Sequence, residues 1–158
     1  MSKVRLAAMV ILALAGGSAL CAQTIEVSLI ESVPASVGSA TRQSEFVISG
    51  ALDALFDAGK IGTNVRPVAG DMASFRQYAP EPEAAEAMID YVVVILAEYD
   101  GLNPVPLCRY RLIRVYDGHD VVSGDVPAPI PASMAAKDVE KACVDVGASV
   151  VVACFPSR

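Results

Sequence analysis

The fold is decided by the stretch Asp90–Tyr99, which reads DYVVVILAEY. Seven consecutive apolar residues, Tyr91–Ala97, lie between acidic ends. They are too few to cross a bilayer, which takes ~20 residues. Their β-branched content and short length favour a strand over a helix, and the absence of alternation indicates that both faces are covered. Such a strand needs helices packed over a sheet, so we expect a layered α/β domain.

Residues 1–22 have the pattern of a secretory signal peptide. Lys3 and Arg5 form a basic region, Leu6–Ala15 is apolar, and the small residues Gly16–Ala19 follow. Because the apolar region is shorter than the ~20 residues of a spanning helix, an uncleaved anchor is the less favoured alternative. We therefore expect an exported protein that is periplasmic or associated with the outer membrane, with secretion as an alternative.

Cys21 leaves two maturation routes open. A cysteine directly after the apolar region is typical of a lipoprotein, in which the thiol is acylated and becomes the new N-terminus. Leu20 fits poorly as the small residue expected before that cysteine, so cleavage after Ala22 is slightly preferred. The mature domain then covers residues 23–158, and a lipid on Cys21 is the only membrane attachment that we expect.

The charge of the mature chain argues against nucleic acid and anionic membrane surfaces as partners. Removal of the signal takes away Lys3 and Arg5, so 10 basic residues remain against 18 acidic ones, a formal net charge of −8. Nucleic acids and anionic lipids are bound through clusters of Lys and Arg, which this balance disfavours. About 136 residues suit a single domain with its own core.

The chain order predicts an α/β (α+β) fold. We expect a single layered domain with a mixed sheet of about five strands, two long helices and one short helix. Asp117-Gly118 between two apolar-patterned segments is a strong hairpin signal. The expected elements follow the order β-α-β-α-β-β-β-α: Thr24–Ser32, Thr41–Lys60, Val65–Val68, Glu81–Met88, Asp90–Tyr99, Leu107–Tyr116, His119–Val126 and a helix from Met134.

The clearest helix signal is in Thr41–Lys60. Thr41 can serve as its N-cap, and Gly59 can end it. Its apolar side chains form one stripe at helical spacing: Ile48, Leu52, Leu55 and Phe56.

Two other segments are less regular. Ala69–Pro82 is polar and interrupted by Gly and Pro, so we expect an irregular segment in which Phe75 and Tyr78 fold back over the core. From Met134 onward the apolar residues keep helical spacing across Gly147, which favours one long helix. The alternative is a helix that ends at Gly147, followed by a strand at 149–155.

Three cysteines remain in the mature chain: Cys108, Cys143 and Cys154. Disulfides persist outside the cytoplasm, so one pair and one spare thiol are expected. Cys143 and Cys154 are ~16 Å apart along a continuous helix and cannot then bond to one another. Cys108 with one of the two is therefore preferred, and Cys108–Cys154 is the candidate pair. A zinc site is not expected, because there is no CxxC and a single histidine.

One cluster could carry chemistry, at the tip of the predicted hairpin: Asp117, His119 and Asp120. Carboxylates and an imidazole could bind a divalent metal or serve acid–base catalysis. The turn itself demands Asp-Gly, however, and a hairpin tip offers little burial to shift a pKa. We expect no catalytic, cofactor-binding or metal-binding residues. The chain has no nucleophile motif or Gly-rich phosphate loop, which also argues against an enzyme.

Arg109, Arg111 and Arg114 follow one another along the first arm of the hairpin. Two of them share a face, since side chains alternate along a strand. They could form an anion site, but a solvated polar face of the sheet is the preferred interpretation.

The order of elements resembles a group of bacterial envelope domains: the N-terminal domain of TolB, the curli-secretion lipoprotein CsgG and the penicillin-binding-protein activator LpoB. In that group a small residue and Asp-Tyr introduce a similar strand; here Asp90-Tyr91 match, and Ile89 replaces the small residue. Arg111–Gly118 is similar to the start of their hairpin, and Leu55–Asn64 is similar to a segment of uncharacterised exported bacterial proteins. The resemblance covers most of Thr24–Phe155. It implies a non-enzymatic periplasmic module that docks on other envelope proteins.

Two functions from different classes are therefore expected. The first is a non-enzymatic exported envelope protein, an interaction or accessory module without a cofactor, that docks through a sheet edge or through Ala69–Pro82. The alternative is a small exported hydrolase or metal-binding protein that uses Asp117, His119 and Asp120. A structural subunit that self-associates through exposed strand edges is a third hypothesis. The sequence leaves the partner and the oligomeric state open.

Overall fold

The computed structural model describes residues 22–35, 38, 40–128 and 134–156. Residues 1–21, with Cys21 and nearly all of the predicted signal peptide, lie outside the described residues. The elements of the described part are, in chain order, β1 (Thr24–Ser32), α1 (Thr41–Asp57), β2 (Ile61–Asn64), β3 (Val68–Ala69), α2 (Met72–Gln77), α3 (Pro82–Glu86), β4 (Tyr91–Glu98), β5 (Leu107–Arg114), β6 (His119–Val126) and α4 (Ala136–Cys154).

The strands form one mixed sheet in the order β2-β1-β4-β5-β6, and β3 also pairs with β1. β1 runs parallel to β2, β3 and β4, whereas β5 is antiparallel to both of its neighbours. β4 lies at the centre, and its residues Val92–Ala97 are fully buried. This arrangement confirms the predicted fold class, a single α/β domain built around the stretch at 90–99.

The two faces of β4 pack against different elements. On the first face, Val93 and Ile95 belong to the large core that the sheet forms with α1 and α4. On the second face, Val92 and Val94 pack with Phe75 of α2 in a smaller cluster. Cover on both faces explains why the strand shows no alternation of apolar and polar residues.

The long helices agree with the prediction, with small shifts at their ends. α4 is one continuous helix, which confirms the preferred interpretation of the C-terminus, and Gly147 lies buried within it. α1 begins at Thr41, so the cap position is Ala40 and the prediction of Thr41 as N-cap is wrong by one residue. Gly59, with φ of 69°, follows the end of α1 as predicted. α3 is shorter than the expected Glu81–Met88 and begins at a proline.

The short second strand is displaced from its predicted position. It was expected at Val65–Val68, whereas the structure has β2 earlier and the two-residue β3 later. The pairing with β1 begins directly after the Gly59 turn, where the Ile61 N–H donates to the Gln23 carbonyl at 2.9 Å. Pro67 lacks an N–H and falls in the break between β2 and β3.

The segment Ala69–Pro82 is more ordered than its composition indicated. It contains α2, which starts where the Asp71 side chain accepts a hydrogen bond from the Ser74 N–H at 2.8 Å. This contact caps the N-terminus of α2, a helix too short to show a repeating pattern of apolar residues in the sequence. Phe75 is buried and Tyr78 is half-buried, so the prediction that both fold back over the core is confirmed.

Candidate interaction surfaces

The hairpin tip holds the cluster that the sequence singled out for chemistry. Asp117 accepts hydrogen bonds from Arg114 Nη2 at 2.7 Å and Nε at 3.1 Å, and from the His119 N–H at 3.1 Å. The bond from Arg114 is the main cause that lowers the pKa of Asp117. Gly118 completes the turn with φ of 67°. Asp117 therefore stabilises the turn and forms an ion pair with Arg114.

Asp120 is engaged in the same way. It accepts hydrogen bonds from Arg111 Nη2 at 2.8 Å and Nε at 3.1 Å. Both carboxylates of the tip are thus bound to arginines of β5, which leaves His119 without a free anionic pair beside it. Within the residues that the structure describes, no group of three or more His, Cys, Asp and Glu is placed to hold a metal ion.

The arginines of β5 are matched by carboxylates along the same face and at the turn. Arg109 Nε donates to Glu98 at 2.6 Å, and its Nη1 donates to Asp125 at 3.2 Å. Arg111 and Arg114 bind the acids of the tip. Since each guanidinium has an anionic partner, this row lacks the excess positive charge that an anion site needs.

Arg111 also attaches the segment Ala69–Pro82 to the sheet. Its Nη1 donates to the Phe75 carbonyl at 2.6 Å, and its guanidinium lies 5.8 Å from the centre of the Phe75 ring. Burial raises the pKa of Tyr78 in the same cluster. These contacts make the segment part of the packed second face, which argues against its use as a docking loop.

The predicted disulfide between Cys108 and Cys154 is not formed. Both residues and Cys143 are free thiols, buried in the large core between the sheet and the long helices. Burial raises the pKa of Cys143 to about 11 and that of Cys154 to about 12. The three thiols thus pack as small apolar side chains, which is a common role of buried cysteine.

β2 forms one edge of the sheet in the described part of the chain, and all four of its residues are exposed. The N–H groups of Ile61 and Val65 donate to carbonyls of the β1 side at 2.9 and 3.2 Å. Because a strand alternates, the N–H groups of Gly62 and Asn64 point away from the sheet. The edge also carries apolar side chains: Ile61 is 55% exposed, Val65 41% and Val68 53%.

A groove of about 420 Å³ lies beside this edge, between α1 and β2. Its lining includes Ile48, Leu52 and Pro67 together with Glu45 and Arg66. The remaining lining residues, Ser49 and Asn64, are polar, so this mixed groove can accept side chains of a segment that pairs with the edge.

A second apolar surface lies at the end of the sheet where β1 begins. The turns before β2, before β4 and after β5 meet at this end. The last turn of α1 and the turns before β4 and after β5 carry three of the most exposed large apolar side chains in the described chain: Phe56 (80%), Met88 (81%) and Tyr116 (90%). A cleft of about 540 Å³ lies between Met88 and Tyr116. No helix in the described ranges is long and apolar enough to span a membrane.

Comparisons with known proteins give similarity of fold at low identity. No family model matches the sequence, and no curated protein matches it. The PelC dodecamer from Paraburkholderia phytofirmans is 14% identical over 86% of this chain and 88% of that chain, with a TM-score of 0.45. A variant of that dodecamer is also 14% identical, over 87% and 90%, with a TM-score of 0.46. TolB from Acinetobacter baumannii is 13% identical over 85% of this chain and 28% of that chain, with a TM-score of 0.42. TolB is one of the proteins that the order of elements resembles, but similarity of this size carries no function to this chain.

Proposed function

We propose that this protein is a non-enzymatic exported envelope protein that binds an extended segment of another envelope protein along the edge formed by β2 and β3. The observation that carries the proposal is this open edge, on which outward N–H groups lie beside exposed apolar side chains. Export is supported by the signal pattern of residues 1–22.

The edge has the features of a site for strand addition. Natural proteins usually protect a free edge with charged side chains, because it pairs readily with another chain. Here β2 consists of Ile61-Gly62-Thr63-Asn64 and carries no charge. A partner strand would gain backbone hydrogen bonds from Gly62 and Asn64, and its alternate side chains would reach the groove beside α1.

The rest of the molecule supports a binding role over catalysis. The polar groups of the hairpin are paired with one another, and Ala69–Pro82 is packed on the sheet. That leaves the edge as the better of the two docking sites which the sequence suggested.

The proposal is tested by site-specific photocrosslinking of the full chain in its native envelope. A photoreactive phenylalanine replaces Val68 on the proposed edge or, as a control, Val121 on the opposite edge strand, where the native side chain is 49% exposed. We expect one defined envelope protein to be crosslinked from position 68 and not from position 121. Crosslinks from neither position, or equally from both, would contradict the proposed edge.

A matched pair of substitutions tests the backbone contribution. Asn64→Pro removes an outward N–H but keeps the pairing of β2 with β1, since that pairing uses the N–H groups of Ile61 and Val65. We expect Asn64→Pro to abolish the crosslink from position 68, while Asn64→Ala keeps it. Loss in both variants would point to the side chain of residue 64 instead of the strand edge.

A further inference from the structure

The residues at the start of β1 are hydrogen-bonded to two neighbouring parts of the sheet. The Gln23 backbone carbonyl accepts a hydrogen bond from the Ile61 N–H at 2.9 Å. The side-chain oxygen of Gln23 accepts one from Lys60 Nζ at 2.5 Å. The next residue, Thr24, donates its N–H to Asp90 Oδ2 at 2.8 Å. The position of residue 23 relative to the sheet is therefore set by contacts with β2 and with the start of β4.

Whatever precedes Gln23 must leave from this same end of the sheet. Cys21 is two residues earlier in the sequence, and two extended residues span at most ~7 Å. A lipid on Cys21 would hold this end of the domain close against a bilayer.

The same end presents the apolar side chains that a bilayer surface would accept. Phe56, Met88 and Tyr116 are each at least 80% exposed and lie in three separate segments at this end: the last turn of α1, the turn before β4 and the turn after β5. Met88 has a backbone φ of 58°, which is unfavourable for a side-chain-bearing residue. Only one other large apolar side chain in the described residues is as exposed, Leu102 at 88%, and it lies at the opposite end of β4.

We propose that the end of the sheet where β1 begins rests on a lipid bilayer, with Phe56, Met88 and Tyr116 inserted at the level of the headgroups. The proposal rests on the export in the proposed function and on the lipoprotein route at Cys21, and it is independent of the β2 edge. Tyrosine favours this interfacial region, because its ring is apolar and its hydroxyl stays hydrated.

The contact is apolar rather than electrostatic. The mature chain carries a formal net charge of −8, which opposes attraction to anionic lipids. Arg114 near this end is neutralised by Asp117. Insertion should therefore occur on zwitterionic phosphatidylcholine vesicles and should not depend on salt, in contrast to binding through basic patches.

The test exploits the absence of tryptophan from the whole sequence. Tyr116→Trp and Leu102→Trp each introduce a single fluorophore, at the proposed membrane end and at the opposite end. Each full chain is produced with its own signal, recovered from the envelope and mixed with vesicles of phosphatidylcholine brominated in the part of the acyl chains next to the headgroups. We expect the Tyr116→Trp fluorescence to be largely quenched and the Leu102→Trp fluorescence to be unchanged, at low and high salt alike.

Three results would overturn the proposal. The first two are equal quenching at both positions and quenching at neither. The third is self-association of the Tyr116→Trp variant in the absence of vesicles that buries position 116, detected by light scattering. As a second measurement, Met88→Asp combined with Tyr116→Asp should lower the fraction that floats with vesicles, and Leu102→Asp should leave it unchanged. If the β2 edge does not bind a partner, the crosslink from position 68 will be absent while the quenching of Tyr116→Trp remains.

Discussion

Gly147 in α4 lies so close to the Val47 carbonyl of α1 that a methyl group on its α-carbon would come within 1.9 Å of that oxygen. The contact is reciprocal, since a methyl group on Gly50 of α1 would come within 2.0 Å of the Val144 carbonyl of α4. The two glycines let the helices that cover the first face of the sheet cross backbone to backbone. Gly147 therefore serves as a packing contact and does not interrupt the helix.

Gly147→Ala should lower the free energy of unfolding by about 3 kcal/mol, because the added methyl group meets backbone and forces the helices apart. Ser49→Ala, at an exposed position of α1, should change it by less than about 0.5 kcal/mol. Denaturant unfolding followed by circular dichroism measures both. A Gly147→Ala variant as stable as the parent would show that α1 and α4 are not in backbone contact at this crossing.

Ser44 and Tyr99 form a buried polar pair between α1 and the sheet, with their oxygens 2.9 Å apart. Ser44→Ala and Tyr99→Phe should each lower the free energy of unfolding by about 1–2 kcal/mol. Each substitution removes one hydroxyl and leaves the other buried hydroxyl without its hydrogen-bond partner. The double variant should cost less than the sum of the two, since it leaves no unpaired group. A double-mutant cycle measures the coupling, and strict additivity would contradict a direct bond.

The buried thiols predict loss of stability at alkaline pH. The pKa of Cys143 is raised from 9.0 to about 11 in the folded protein. Between these values the folded state holds a proton that the unfolded state releases, so this contribution to stability is complete below pH 9 and is lost as the pH rises towards 11. Unfolding measured from pH 7 to 11 should show a decline that begins near pH 9. Replacement of Cys143 by alanine should reduce the decline.

The same thiols should be unreactive in the folded protein. At pH 8 a thiol reagent should label Cys108, Cys143 and Cys154 only after guanidinium is added, because all three are buried. Unfolded protein that has not been reduced is the informative sample. If two of these thiols stay unlabelled there, a disulfide is present in the protein as it is produced.

Arg111 joins α2 to the sheet and pairs with Asp120. Arg111→Met should lower the free energy of unfolding by about 2 kcal/mol, since the Phe75 carbonyl and the carboxylate lose a charged donor. Amide exchange in Met72–Gln77 should become faster. Arg114→Met is the control, because its ion pair is exposed and its loss should change neither measurement appreciably.

His119→Ala decides whether the hairpin tip binds metal. Since Asp117 and Asp120 are held by arginines, we expect both the parent and His119→Ala to lose zinc on desalting, measured by mass spectrometry of the metal. Stoichiometric zinc in the parent that disappears in His119→Ala would instead support the metal-binding or hydrolase alternative.

The predictions from sequence succeeded where the signal is local. The seven-residue apolar run marked the central strand, and Asp117-Gly118 marked the hairpin turn, because strand length and turn geometry depend on neighbouring residues. The helix α2 was missed, since a helix of six residues is too short for a periodic pattern. Its one local signal was Asp71 three residues before Ser74, a capping pair that could have been recognised.

Local sequence patterns were sufficient to predict the layered α/β class, the order of the main elements and the central position of β4, since hydrophobic period and turn residues act over a few positions. The contacts between residues distant in sequence became known from the three-dimensional arrangement alone. That arrangement paired Arg109 with Glu98 and Arg111 with the Phe75 carbonyl, placed Gly147 against Val47, and left Cys108 and Cys154 as buried free thiols. Those outcomes depend on strand register and on the distance between packed elements, which no local pattern encodes.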